Sequence, residues 1–149
     1  MSLHFDIVIV CDLREDTPSD CLELLAWLTD ANSSSEARPR FHCFDENYME
    51  LADAFDHPFL APLPNEEVIS VFQRRYRYTM PTKTGGKDVY RYCLQFSARG
   101  ILDDYFYECH LLFTYWLASV SEDGFIGYYK EELDNDPILL YVKDRKLVS

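Results

Sequence analysis

The chain has 149 residues, 48% of them apolar and 15% aromatic, with a formal net charge of −12. That length suits one domain spanning 1–149 with a core of its own, and so many large side chains exclude a disordered chain despite the charge. Five cysteines at irregular spacing, with no C-x-x-C pair, exclude the usual zinc and dithiol arrangements and read as reduced, mostly buried thiols of a cytoplasmic protein.

The first element is the run Phe5 to Cys11, rich in β-branched residues and apolar on both faces at its centre. That pattern predicts an interior strand, and its apolar part, Ile7 to Cys11, is far too short to span a bilayer, so no membrane association is expected. Thr17-Pro18-Ser19-Asp20 then predicts a capped helix start, with Thr17 as N-cap, Pro18 at the first helical position and Asp20 at the third. The helix should run to about Asp30 and pack on the sheet through Cys21, Leu24, Leu25 and Leu28.

Ala31 to Arg40 is polar and serine-rich, which predicts a surface loop. Arg40 to Phe44 reads as a short strand, Glu46 to Phe55 as a helix of about two or three turns, and His57 to Pro64, with its prolines, as irregular chain. Val68 to Met80 and Val89 to Ala98 predict a long hairpin turning through Pro81, Thr82, Gly85 and Gly86. Ile101 to Val120 predicts the central helix, its core face carrying Leu102, Tyr105, Phe106, Cys109, Leu112, Phe113, Trp116, Leu117 and Val120. Phe125 to Tyr129 and Ile138 to Val142, parted by Asp134-Asn135-Asp136-Pro137, predict a closing hairpin.

The succession is β-α-(β)-β-β-α-β-β, which predicts an α+β fold: an antiparallel sheet with two main helices packed on one face. The middle of this order resembles the split βαβ arrangement of ferredoxin-like sandwiches. The resemblance is one of topology and implies no particular activity, because such folds carry many.

Charge is unevenly spread. Between Gln73 and Arg99 stand Arg74, Arg75, Arg77, Lys83, Lys87, Arg91 and Arg99 against Asp88 alone, a net +6, so the remainder of the −12 chain is −18. Strand alternation predicts Phe72, Tyr76, Tyr78, Tyr90, Tyr92, Leu94 and Phe96 toward the core, and Gln73, Arg75, Arg77, Arg91 and Gln95 on the opposite face. Such a face is suited to a small anionic ligand or an acidic partner; the plainer reading is arginines paired with nearby acids. Nucleic acid is disfavoured, because the −18 flank repels phosphates and the tyrosines point to the wrong face for stacking. Acidic clusters at Asp12 to Asp20, Asp45 to Asp56 and Glu131 to Asp136 would suit a basic partner or serve solubility alone.

None of the four histidines forms an H-x-x-x-H pair, and adjacent His42 and Cys43 point to opposite faces of a strand, so no metal site and no cofactor are expected. Tyr107, His110, Leu111, Thr114 and Ala118 form a second stripe on the central helix, suited to lining a cleft or a dimer interface. Nucleophile-elbow and phosphate-loop motifs are missing. Two functions follow. The favoured one is a non-catalytic interaction module that docks to a protein partner or to its own copy as a homodimer, through Arg75, Arg77, Arg91, Tyr107 and His110. The alternative is a small-molecule binder or small enzyme acting on an anionic ligand, with His110 as general base in a cleft closed by the loop 56–66.

Overall fold

The computed structural model describes residues 3–30, 32–33, 48, 51, 58–61, 68–134 and 136–149. Strand β1 (His4–Asp12) is followed by helix α1 (Ser19–Thr29), and β2 (Val68–Thr82) and β3 (Gly85–Leu102) form the long hairpin. The second helix opens as α2 (Asp103–Tyr105), passes through a π-helical stretch (Phe106–Leu111) and closes as α3 (Leu112–Ala118). Strands β4 (Gly124–Glu131), β5 (Ile138–Lys143) and β6 (Lys146–Val148) complete one antiparallel sheet in the order β2-β3-β1-β4-β5-β6. The expected α+β class is therefore observed, with the described helices built as two units.

The β-branched run of β1 puts it inside the sheet, paired with β3 on one side and β4 on the other. Its alternate residues Phe5, Ile7, Ile9 and Cys11 lie opposite Ile101, Ala98, Phe96 and Leu94, and all eight are buried. Leu24, Leu25 and Leu28 of α1 join Phe106, Phe113, Trp116 and Leu117 of the second helix in the same core, together with Leu140 and Val142 of β5. At about 25 cal/mol per Å² of apolar surface removed from water, this burial is the main force holding the helices to the sheet.

Gly127 lies opposite Ile9 beside a bulge in β4, with φ +146°. A Cβ there would stand 1.9 Å from the Val8 carbonyl oxygen, so only glycine lets β4 approach β1 this closely.

Several local expectations are corrected. Pro18, not Thr17, occupies the cap of α1, and no side chain caps that end. The Thr17 hydroxyl donates instead to the Arg14 carbonyl at 2.6 Å. Ile101 and Leu102 finish β3 rather than opening the central helix, and Tyr105 is exposed. The stripe expected to line a cleft or dimer interface is enclosed instead: His110 and Leu111 in the π-helical stretch and Thr114 and Ala118 in α3 are all buried, and Tyr107 alone of the five is exposed. The short β6 was not foreseen. The expected strand at Arg40 to Phe44, the helix at Glu46 to Phe55 and most of the loops at Ala31 to Arg40 and His57 to Pro64 lie outside the described residues. Among the described residues of that stretch, Leu51, Phe59 and Leu60 are buried in the core, and Tyr48 packs against it.

The hairpin gives the largest correction. Beyond Cys93, opposite Asp12 at the end of β1, and Tyr92, whose carbonyl accepts from the Leu13 amide at 2.8 Å, β2 and β3 pair only with each other down to Thr82 and Gly85. Tyr76, Tyr90 and Tyr92 do share the side of Leu94, as alternation requires, yet all are exposed because the hairpin outruns the helical layer. A bulge at Arg77 shifts the register between Tyr76 and Tyr78. Tyr78 therefore lies opposite Val89 on the same face as Arg75 and Arg91, reversing its expected direction.

Candidate functional site

The side of the sheet away from the helices is open, and it is apolar across its middle. Register places Ile69, Ser97, Val8, Tyr128 and Leu139 in one row running across β2, β3, β1, β4 and β5. A second row holds Val71, Gln95 and Val10, and beyond them Phe125 beside Tyr141. Ile69 is 68% exposed, Phe125 58% and Val10 45%, while Val71, Tyr128, Leu139 and Tyr141 are also exposed. Phe125 and Tyr141 pack ring to ring at 5.4 Å, fixing one flank of this belt. Scattered apolar side chains are ordinary on a protein surface; a belt drawn from four strands, interrupted on β3 only by Ser97 and Gln95, is not.

The arginines singled out from the sequence stand at the hairpin end of this face. Arg75 and Arg91 are directly opposite each other, and their like charges are relieved separately. Arg91 donates to Glu122 at 3.0 Å and approaches Glu15 at 3.8 Å, and its NH1 nitrogen donates to the Tyr90 carbonyl. The Glu122 hydrogen bond outweighs burial and raises the Arg91 pKa. Arg75 reaches the Gln73 side chain, whose amide oxygen accepts from it at 2.7 Å once the amide is oriented to suit. Arg77, the bulged residue, forms an ion pair with Asp12. Burial acts to lower its pKa, and the hydrogen bond and charge of Asp12 outweigh that, leaving it raised. On the other side of the hairpin the Arg74 guanidinium sits 4.6 Å from the Tyr90 ring centre, a cation–π contact.

A shallow cleft of about 240 Å³ opens between the diverging ends of β1 and β4, lined by Val10, Asp12, Arg77, Glu122, Asp123 and Phe125 among others. Its arginine is paired with Asp12, and its other two carboxylates are paired as well, Glu122 with Arg91 and Asp123 with Arg14 at 3.0 Å each, so the charges lining it are balanced within the molecule.

Tyr107 and His110 are not brought to this face. They lie on the second helix, beyond the core on the other side of the sheet. His110 is buried edge-on against Phe59 and Tyr105, each ring centre 5.2 Å away. Tyr107 is exposed and rests on Phe5 and Phe106. The five candidate residues thus fall into two groups separated by the sheet, and His110 does not line the cleft.

Cys11, Cys21, Cys93 and Cys109 are buried thiols. Burial pushes the Cys11 pKa up to about 12, and burial likewise raises Cys93, so neither is a thiolate near neutral pH. Among the described residues no group of three or more histidine, cysteine, aspartate or glutamate side chains is arranged to hold a metal ion. Among the described residues no helix is long and apolar enough to cross a membrane.

Sequence reasoning passed over the apolar belt although the signal was present. The unbroken run Ile7-Val8-Ile9-Val10 reads as a strand covered on both faces, and the helices cover only one. Comparisons with protein-family models, with curated proteins and with solved structures give no match to this chain.

Proposed function

We propose that this protein is a non-catalytic interaction module that docks to another protein surface through the open face of its sheet. The observation that carries the reading is β1: it has the composition of a strand buried on both faces, while Val10 remains 45% exposed. The belt of Ile69, Val8, Tyr128 and Leu139 with arginine pairs at one end matches the apolar centre and polar rim of protein interfaces, where aromatic residues and arginine are enriched.

The catalytic alternative finds less support. The cleft beside β1 and β4 falls below the roughly 300–1,000 Å³ usual for small-molecule sites, its acids are already paired with arginines, and it lies across the core from His110; the loop 56–66 expected to close a pocket over His110 lies mostly outside the described residues. Tyr76, Tyr90 and Tyr92 are exposed but lend nucleic acid little support, since Tyr92 stacks on Phe72, Arg74 lies over Tyr90 and Tyr76 packs edge to face with Tyr90. The −18 carried by the rest of the chain still argues against it. We also read the β-α-β-β-α-β succession of the first four strands and the helices as a ferredoxin-like sandwich extended by β5 and β6, a kinship that assigns no activity.

A photo-crosslinking amino acid at position 10, in cells that make the protein naturally, tests the docking reading. The expected result is a covalent protein adduct from position 10 and none from position 133, an exposed turn residue. Equal adducts from both, or none from position 10, would overturn it.

A further inference from the structure

We propose that the occupant of the open face is an acidic segment of a different protein, seated with its apolar side on the belt and its carboxylates over the hairpin end of the sheet; this names the partner class of the docking reading above and rests on it. The carboxylates of this chain at that end are held by its own arginines. Asp12 pairs with Arg77, Glu122 with Arg91 at 3.0 Å, Asp123 with Arg14 at 3.0 Å and Asp16 with Arg145 at 2.7 Å, while Glu15 stands 3.8 Å from Arg91.

Four more cations on the same margin have no such partner. Arg75, on the open side of the hairpin, bonds to the neutral Gln73 amide, and Lys87, opposite Met80, stands on that side further out. Lys143 and Lys146 face each other where β5 turns into β6, and Lys143 is two residues beyond Tyr141 and so on its side of the sheet. Among the described residues none of the four has a carboxylate within ion-pair range, and Asp144, in the turn between the two lysines, is the acid of this margin that no cation holds. The hairpin end of the open face is therefore basic on both flanks, in a chain whose net charge is −12.

The other end of the face has the opposite sign. β4 finishes at Glu131, opposite Phe5, and the turn after it carries Glu132, Asp134 and Asp136; Glu132 meets His4 at 3.4 Å. An anionic bilayer or a phosphate backbone laid over the belt would set its charge against these acids as well as against the four cations, and a phosphate backbone offers Val8, Val10 and Ile69 no apolar cover. A second copy does not supply the missing charge either. The carboxylates on the open face of its strands, Asp6 and Asp12, are taken within the chain, Asp12 by Arg77 and Asp6 by Arg99 at 3.9 Å and the Gly100 amide at 2.9 Å. A protein segment with carboxylates at one end and none at the other fits both margins, and such charge steers the encounter and fixes its direction while the belt supplies the apolar contact.

The position-10 photo-crosslink, made in cells that produce the protein and read by sequencing the peptide joined to it, is the test. The joined segment should come from a different protein and carry a clear excess of aspartate and glutamate over lysine and arginine. Lys143→Glu with Lys146→Glu changes two exposed, unpaired side chains and should lower the adduct yield about tenfold. Arg75→Gln with Lys87→Gln should lower it as well. Arg74→Glu, on the helix side of the hairpin, should leave it unchanged. A joined segment that is neutral or basic, an adduct of doubled mass, an adduct destroyed by nuclease, or a yield that both pairs of variants leave intact would overturn the acidic partner while still showing the face occupied. No adduct from position 10 would overturn the docking reading itself, and this inference with it.

Discussion

Ile9 and Val10 are neighbours in β1 and differ by one methylene, yet Ile9 is fully buried and Val10 is 45% exposed. The two sides of this strand were built from the same kind of residue, and only one received helices. The difference teaches that an apolar strand states how much cover it needs, while the connections of the fold decide how much the chain itself provides. Where the two disagree, the uncovered face is the place to look for a partner.

The contrast can be broken most severely from the covered side. Phe96→Ala, opposite Ile9 in the centre of the core, should cost about 3–5 kcal/mol in denaturant unfolding, because the helices cannot collapse into the space left behind. A loss below about 1 kcal/mol would mean that the helical layer is not packed as described. Gly127→Ala should follow at roughly 2–4 kcal/mol, since its methyl group would strike the Val8 carbonyl and its backbone is held at φ +146°.

Alkaline pH separates the faces in a different way. The Cys11 thiol is raised by burial from 9.0 to about 12, so above pH 9 the unfolded chain releases its proton and the folded chain does not. Stability should therefore fall as pH rises from about 9 to 12, by up to about 1.4 kcal/mol per pH unit, with Cys93 acting in the same direction. Cys11→Ala should flatten that slope, and an unchanged slope in urea titrations at several pH values would count against its burial. The smallest effect belongs to the open face: in the purified protein, Val10→Ala and Tyr128→Ala should each change unfolding free energy by no more than about 0.5 kcal/mol.

Much of this architecture was legible in the sequence, and the reasons are physical. β1, α1, the long hairpin and the closing pair β4–β5 followed from β-branched runs, helical stripes and turn residues, which act locally. The bulge at Arg77 was not legible, because Tyr76-Arg77-Tyr78 keeps perfect alternation and the contact made by the bulged residue is with Asp12, 65 positions away. The exposure of Tyr76, Tyr90 and Tyr92 was hidden for a similar reason: alternation fixes which face a residue joins, not whether another layer extends far enough to cover it. The burial of His110, Thr114 and Ala118 was hidden because helical spacing marks the face turned to the sheet, not the second face that other chain covers, as Phe59 does at His110. The arginines were found because charge asymmetry survives in one dimension; the belt was missed because it is assembled from single residues on four strands.

Hydroxyl-radical footprinting of the protein in the cells that make it, set against the purified protein, tests the central claim most directly, since every aromatic side chain reports its own access to solvent. The account predicts that Phe125, Tyr128 and Tyr141 on the open face are protected in the cell relative to the purified chain, while Tyr115, exposed on the second helix, keeps its reactivity. Open-face rings as reactive in the cell as in the purified protein, or protection confined to the helix side, would contradict it.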